Sequence, residues 1–487
     1  MTAVQSTIEE PAVARNGHRS EEQLDGQSPI KSEANDSPFS PQRLTLTLGL
    51  VLTIAGVAFE TLAVATILPA VVDDLGGLHL YGWAFSAFLL AQLVGIVISG
   101  LLADERGPLL PFVLGVILFA VGLIVGGLAP TMMILIAGRA LQGLGGGAIG
   151  SIAYVAVGRG YPEGVKPRML ALLSTAWVVP GLVGPGLAGL MAEALGWRSV
   201  FLLLAPLPIL SALLALPSLR RMGAGVPAPD ARARTISAAA LAVGAGLLLT
   251  GIAQTSLPAV LGLSAVGLLL AVPAVRRLLP DGTLRALPGM PAAVATMALL
   301  NLAFFGVDAF VPLALVDVRG ASVAFAGLAL TAATITWSTG SWVQARTSGR
   351  ISRRAMTSIG LAVLIAAFAA TAAVLFPSVS MFVGPFAWGL AGLGMGFGYT
   401  TLSLTMLELA APGQEGDASA SIQLASVLGS GLGAGLGGAL IGLLQTRGDT
   451  VGQALLLQIG VMTVAAVLGL VTARGLPGRS ALRAAGA

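Results

Sequence analysis

Cysteine is absent from this 487-residue chain, which excludes disulfides, thiolate metal sites and thiol catalysis. Histidine is nearly absent as well: His18 stands in a polar N-terminal segment and His79 in a short loop, so we expect no buried imidazole base or ligand. The glycine-rich run Gly143–Gly147 lies within an apolar stretch, where it suits helix packing and not phosphate binding. The sequence therefore predicts no enzyme, no metal site and no cofactor.

Charge is also scarce. Only 10% of residues are Asp, Glu, Lys or Arg, against about a quarter in soluble domains. What is abundant is apolar sequence: 56% of residues are hydrophobic, and the mean hydropathy is +0.91. There are also 65 glycines, as expected where helices pack closely in lipid. This composition predicts an all-α membrane protein that crosses the bilayer many times.

Membrane spans need about 20 apolar residues. Fourteen such stretches follow the polar N-terminal segment, at 45–72, 82–103, 109–129, 132–157, 169–192, 199–217, 236–254, 257–274, 290–316, 322–344, 355–376, 379–406, 418–444 and 452–473.

The distribution of basic residues predicts the orientation of these spans. With the N-terminus in the cytoplasm, 22 of the 26 Lys and Arg residues fall on the inner side, three fall in outer loops, and Arg139 lies within a span. An excess of basic residues marks cytoplasmic loops. We therefore expect a multi-pass protein of the cytoplasmic membrane with both termini inside. We also expect residues 1–43 to form a disordered cytoplasmic tail and residues 475–487 a second tail.

An internal repeat divides the chain. Two sets of three residues recur at the same offsets near the outer ends of the first and ninth spans, namely Pro69, Asp74 and Gly77, and Pro312, Asp317 and Gly320. About 30 residues later, glycine-bounded segments follow in each copy, at Gly100–Gly107 and Gly340–Gly349. Parallel repeats of this kind are a known transporter plan, with the substrate site between the halves.

The repeat predicts two six-helix halves, 44–219 and 288–474, related by a pseudo-twofold axis. Between them lies a linker, 220–287, that carries the seventh and eighth spans. These two spans have no repeat anchors, and we expect them to pack at the periphery, between the halves and away from any substrate cavity.

Three ionisable residues, Glu60, Arg139 and Asp308, lie deep within apolar spans. A charge at this depth costs several kcal/mol, so it usually marks a functional site. At 1.5 Å per residue all three lie roughly 12–15 Å below the outer surface. Burial disfavours a charged carboxylate and a nearby Arg favours it, so a carboxylate between these influences can take up and release a proton. Glu60 is the first choice for the proton carrier and Asp308 the second. The alternative is a structural ion pair that joins two helices.

Aromatic and polar side chains within the spans are candidates for a substrate cavity, although packing is the alternative for each. The candidates are Phe59, Trp177, Asn301, Phe305, Trp337, Trp388 and Tyr399. Such a lining suits flat hydrophobic or cationic compounds. In the fifth span, Gly181, Gly184, Pro185 and Gly189 share one helix face and predict a close helix contact. We expect its partner to be the glycine-rich stretch Gly429–Gly438 of the thirteenth span.

Several of these segments resemble the major facilitator superfamily, from about residue 44 to 474. Gly100, Asp104, Arg106 and Gly107 are similar to its loop between the second and third helices, although Glu105 and Pro108 stand where the family usually has basic residues. Leu135–Gly145 resembles its fourth-helix motif, and Pro180–Gly189 its fifth-helix antiporter motif. Glu60 stands where the drug-exporting subfamily has an Asp.

The resemblance implies a fold and a function. It implies that Asp104 helps to hold the cytoplasmic side shut, that Arg139 takes part in proton transfer, and that the protein is a fourteen-helix drug:proton antiporter. We expect it to export small hydrophobic or amphipathic compounds, cations among them, by alternating access. Its expected partners are a small-molecule substrate, protons and membrane lipids but no nucleic acid, and we expect a monomer. A lipid or glycolipid exporter and a proton-coupled nutrient symporter of the same fold remain the alternatives.

Overall fold

The structure is a computed structural model that describes residues 37–162, 164–225, 230–348, 350–411 and 415–478. Within these ranges, fourteen helices are long and apolar enough to cross a membrane, which confirms the predicted all-α fold and the number of spans.

In chain order the first eight helices are α1 (Leu44–Leu75), α2 (Tyr81–Arg106), α3 (Leu109–Gly127), α4 (Met132–Gly160), α5 (Lys166–Thr175 and Val178–Leu195), α6 (Arg198–Leu204 and Pro206–Leu219), α7 (Ala231–Ile252) and α8 (Leu257–Leu278). The other six are α9 (Met290–Asp308, Val311–Leu313 and a π turn, Ala314–Val318), α10 (Val323–Thr347), α11 (Arg353–Val374), α12 (Val383–Glu408), α13 (Glu415–Thr446) and α14 (Val451–Thr472).

Proline accounts for the breaks within these spans. In α5 the helix is interrupted at Ala176–Trp177, because Pro180 has no N–H to donate to the carbonyl one turn earlier. In α9 regular helix ends at Asp308, four residues before Pro312, for the same reason. Asp308, one of the three ionisable residues that the sequence singled out, therefore lies at the C-terminus of a helix.

The two halves pack in the same way, as a repeat requires. In the N-terminal half α1 packs against α5 and α6, while α4 packs against α2 and α3. In the C-terminal half α9 packs against α13 and α14, while α12 packs against α10 and α11. Below, the inner and outer sides are those that the distribution of Lys and Arg predicts.

The halves meet along two seams, which we call the α5–α10 seam and the α2–α13 seam. At the first, a Cβ on Gly189 would lie 2.6 Å from the Ala324 Cα. At the second, a Cβ on Gly82 would lie 2.7 Å from the Gly438 Cα. The expected pairing of the α5 glycine face with α13 is therefore wrong: that face packs against α10, and α13 packs against α2 and α9.

Described contacts between the halves concentrate on the outer side. Beyond the two seams, the Ala324 N–H donates to Glu193 Oε1 at 2.9 Å, and the Tyr81 hydroxyl donates to the Ala309 carbonyl at 3.1 Å. By contrast, the inner segment Lys166–Thr175 packs against α1, α4 and the remainder of α5, all in its own half. The arrangement is closed toward the outside.

The linker helices α7 and α8 pack against each other, and α7 contacts one helix of each half. Ala245 and Leu249 of α7 are buried against Leu90 of α2 and against α13, and α8 packs mainly on α7. Leu269 of α8 is 73% exposed, as suits a helix that faces lipid. The pair thus lies at the periphery of the α2–α13 seam.

The structure describes residues 37–43 of the predicted N-terminal tail, and these residues do not form a tail. Residues 37–43 form turns, Ser40 is buried, and the Thr47 hydroxyl donates to the Pro38 carbonyl at 2.6 Å. These residues therefore belong to the packed fold. The remainder of the predicted tail, 1–36, and residues 479–487 of the C-terminal tail lie outside the described residues.

Candidate functional site

Glu60 of α1 and Arg139 of α4 form an ion pair between Oε1 and Nη1. Each side chain is only 1% exposed. The two residues that the sequence placed at a common depth are therefore in direct contact, in the core of the N-terminal half. Removing either partner would leave an uncompensated buried charge, which is strongly destabilising.

Arg139 also binds other groups of its surroundings. Its Nε donates to the Ala84 carbonyl of α2 at 2.9 Å, Nη1 also donates to Gln142 Oε1, and the guanidinium lies 4.3 Å from the centre of the Phe88 ring. Glu60 differs, since its Oε2 is buried and has no hydrogen-bond partner within the described part of the chain. The carboxylate therefore has one oxygen that Arg139 binds and one that no described group binds.

Glycine brings α2 and α4 close enough to build this site. A Cβ on Gly143 would overlap the Phe88 carbonyl, and one on Gly95 would overlap the Leu144 carbonyl. Small residues at such contacts allow backbones to approach closely in a membrane. The glycine run that the sequence assigned to packing therefore sets the distance between Arg139 and α2.

Asp308 lies apart from this pair, in the C-terminal half. Its Oδ1 accepts a hydrogen bond of 2.8 Å from Trp388 Nε1 of α12. The residue is partly exposed, unlike Glu60. The common depth of the three ionisable residues thus reflects two separate sites, one in each half.

Trp388, the hydrogen-bond partner of Asp308, belongs to a continuous group of aromatic rings, which we call the C-half aromatic cluster. Its members are Phe304, Phe305, Trp337, Phe368, Trp388 and Tyr399. Phe304 stacks on Trp388 with ring centres 5.2 Å apart and planes at 22°. Trp337 connects Phe305 at 6.5 Å with Tyr399 at 5.6 Å.

The predicted cavity residues divide into two groups. Phe59, Trp177, Phe305, Trp337 and Tyr399 each retain exposed surface. Trp388 and Asn301 do not: Trp388 is fully buried, and Asn301 is 1% exposed with its side-chain amide donating to the Met297 carbonyl. For these two the structure contradicts an open cavity position, because the helix and ring contacts around them leave no accessible surface.

At the inner end of α2, Asp104 pairs with Arg159 of α4 at 2.7 Å. Arg159 also donates to the carbonyls of Ala103 and Gly223, so it fastens α2, α4 and the segment after α6 together. Arg106 is exposed. The sequence identified Asp104 but missed Arg159, whose position at the inner end of the fourth span was the available signal.

The corresponding place in the C-terminal half is chemically different. Gln344 stands where the repeat has Asp104, and it is 2% exposed. There the ion pair joins Arg353 at the start of α11 to Glu408 at the end of α12, at 2.6 Å. The sequence also missed Glu193, whose carboxylate joins α5 to the N-terminus of α10.

The fold and these buried charges define a membrane protein of two pseudosymmetric six-helix halves, the architecture of secondary transporters. A sequence model of the Major Facilitator Superfamily matches residues 48–434. The chain belongs to this superfamily, whose members are transporters and not enzymes.

Relatives that are similar in sequence over part of their length include multidrug transporters. A probable multidrug-efflux transporter of Mycobacterium tuberculosis is 32% identical over 164 residues, which are 34% of each chain. Multidrug resistance protein 3 of Bacillus subtilis is 32% identical over 164 residues, 34% of this chain and 32% of the relative. These matches span about a third of each relative's length.

Solved structures share the fold at low identity. A bacterial homologue of the human lysosomal transporter Spinster, inward-facing and unoccupied, has a TM-score of 0.63 at 15% identity and covers 89% of this chain and 98% of its own. A peptide transporter in complex with alafosfalin has a TM-score of 0.64 at 16% identity and covers 92% and 99%. This likeness concerns the fold alone.

Proposed function

We propose that the protein is a proton-coupled antiporter that exports small hydrophobic or amphipathic compounds across the cytoplasmic membrane. The observation that carries the proposal is the buried Glu60–Arg139 pair, in which one carboxylate oxygen has no described partner. A proton on Glu60 would neutralise the carboxylate and release Arg139 toward Gln142 and the Ala84 carbonyl, which already accept from it. Arg139 remains charged throughout, since a guanidinium does not lose its proton in proteins.

Alternating access supplies the coupling. With the outer seams packed, an opening between the halves would face inward, and a substrate would enter it from the cytoplasm. Separation of the α5–α10 and α2–α13 seams would open the opposite side. Protonation of Glu60 from outside and deprotonation toward the inside would then tie each outward movement of substrate to an inward movement of a proton.

The C-half aromatic cluster supports the substrate class. Partly exposed Phe305, Trp337 and Tyr399 offer apolar faces for flat compounds. Two bacterial relatives, each similar over about a third of its length, are named as a probable multidrug-efflux transporter and a multidrug resistance protein. The function that we propose for this chain belongs to the same class.

Inverted membrane vesicles with an acidic interior test the proposal. In these vesicles an antiporter accumulates substrate inside when the proton gradient is imposed. Glu60→Gln mimics the protonated carboxylate and should abolish gradient-driven uptake while substrate binding survives. Glu60→Asp keeps an ionisable group and should retain part of the rate. Asp73→Asn is the matched control, because Asp73 is an exposed carboxylate on the same helix.

The result also separates the alternatives. A symporter would lose substrate from acidic vesicles, and a lipid exporter would move labelled lipid between leaflets in preference to soluble compounds. Native uptake by Glu60→Gln under the same gradient would make Glu60 a structural residue.

A further inference from the structure

We propose that a cleft between the inner ends of α3 and α6 binds an anionic phospholipid of the inner leaflet, such as phosphatidylglycerol. The cleft has a volume of about 570 Å³. Four apolar residues and two arginines line it, namely Leu109, Val113, Leu216, Pro217, Arg220 and Arg221. These residues are distinct from the Glu60–Arg139 pair, so lipid binding here does not depend on whether Glu60 carries a proton.

The packing of α3 against α6 leaves this cleft at one end only. At the outer ends the two helices touch, because a Cβ on Gly127 would lie 2.8 Å from the Leu202 side chain. At the inner ends Val113 and Leu216 remain partly exposed, and the space lies beside them. Arg220 follows Leu216 by four residues, about 6 Å along the helix. The arginines therefore stand at the rim of the cleft, and its apolar walls lead from there into the membrane.

The two arginines of the cleft are available to a negatively charged ligand. Both are exposed, and within the described part of the chain neither side chain donates a hydrogen bond or joins an ion pair. By contrast, Arg159 and Arg353 on the same side pair with Asp104 and Glu408. None of the six lining residues is acidic. Guanidinium groups match the geometry of phosphate oxygens, and basic pockets between helices on the cytoplasmic side suit anionic lipid headgroups.

Apolar surface beside the arginines favours a lipid over a soluble anion. On the two helices that form the cleft, leucines are exposed within one or two turns of it: Leu110 and Leu114 on α3, and Leu213 and Leu214 on α6. A free phosphate ion would use the arginines alone. A phospholipid would place its phosphate between the arginines and its acyl chains along the leucines, so it would also cover the apolar surface.

Fluorescence quenching by nitroxide-labelled lipids tests lipid binding in the full chain, reconstituted in vesicles. Because the native chain has no cysteine, Leu213→Cys can carry a single bimane fluorophore, one turn before Pro217. Vesicles that mix phosphatidylglycerol with phosphatidylcholine, with the nitroxide on the acyl chains of one lipid or the other, give the relative affinity of the two lipids for this position. We expect a preference for phosphatidylglycerol of about fivefold or more, since each arginine near the surface contributes to the attraction. The measurement needs no substrate and no pH gradient, so it is independent of the proposed transport function.

Paired substitutions separate charge from shape. Arg220→Gln with Arg221→Gln should remove most of the preference, whereas Arg220→Lys with Arg221→Lys keeps the charge and should retain most of it. Arg276→Gln with Arg277→Gln is the matched control, because these two exposed arginines end α8 on the same side of the membrane. This control should leave the preference unchanged. Val113→Phe fills the cleft without touching its arginines and should lower the preference.

Equal affinity of the native chain for the two lipids would overturn the proposal, and so would an unchanged preference in the glutamine pair at the cleft. An equal loss in the α8 control would mean that the net charge of the inner surface, and not the cleft, selects the lipid. An unchanged preference in Val113→Phe would place the lipid outside the cleft. Inorganic phosphate, added at constant ionic strength, should leave the preference intact; if it abolishes the preference, the arginines bind a free anion and the lipid assignment is wrong.

Discussion

Arg139 uses its guanidinium in three directions, because Nε and Nη1 donate to different groups and the planar face lies on Phe88. A lysine ammonium has no planar face and no fixed fork of donors, so it cannot replace this set. The site therefore depends on the identity of the cation and not only on its charge.

The buried pair should behave very differently from the ion pair at the inner surface. Glu60→Gln or Arg139→Gln alone should lower the free energy of unfolding by about 3–5 kcal/mol, because each leaves one unpaired buried charge. The double variant should lose less than either single variant. Denaturant titration of the purified protein measures all three.

Asp104 and Arg159 provide the matched comparison. Their side chains are 35% and 27% exposed, so Asp104→Asn should cost less than about 1 kcal/mol. If the losses at Glu60 and Arg139 simply add in the double variant, the two residues do not form a pair in solution.

The sequence indicated the ionisable site residues by their depth in the spans and, for Glu60 and Arg139, by the family resemblance. Glu60, Arg139 and Asp308 were visible because charges in apolar stretches are rare. Depth does not give the position of a residue around the helix axis, so it could not show that Asp308 points toward α12 and not toward Arg139. Asn301 and Trp388 failed as cavity residues for the same reason.

At the scale of helices, the sequence analysis predicted the close contact of α5 but not the breaks in α5 and α9. Pro180 and Pro312 break their helices at places that the missing N–H dictates. The face formed by Gly181, Gly184 and Gly189 correctly indicated a close contact. A small-residue face is complementary to almost any helix backbone, so the sequence could not choose between α10 and α13 as its partner.

Two glycines of α5 give a sharp test of the seam. Gly189→Ala would place a Cβ 2.6 Å from the Ala324 Cα, whereas a Cβ on Gly186 would meet nothing within 4 Å. Gly189→Ala should therefore separate the halves on the outer side, and Gly186→Ala should not.

A single cysteine replacing Ser86, which is buried in the other seam, reports the separation. A membrane-impermeant thiol reagent applied outside should label it severalfold faster with Gly189→Ala. Equal labelling with both alanine variants would contradict the seam as an outer closure.

For the whole molecule, the helix packing alone does not show which side faces the cytoplasm, but the distribution of basic residues predicts it. Gly223, between α6 and α7, should face the cytoplasm, and Ser256, between α7 and α8, should face outside. A Cβ at Gly223 meets nothing within 4 Å, and Ser256 is exposed, so cysteine fits at both.

The native chain lacks cysteine, so each single-cysteine variant reports one position. The two should react with an impermeant reagent from opposite sides of the membrane. Labelling of both from one side would mean that α7 does not cross it.

The seams between the halves have a consequence for entropy. Gly82 meets Gly438, and Gly189 meets Ala324, so closure at these two contacts immobilises backbone that is already helical and orders no long side chain. Ordering a long side chain costs up to about 2 kcal/mol, and these contacts largely avoid that cost. The open and closed populations can then be nearly balanced. A ligand that prefers one of them by about a hundredfold, worth about 2.7 kcal/mol, would be enough to reverse a modest bias between them.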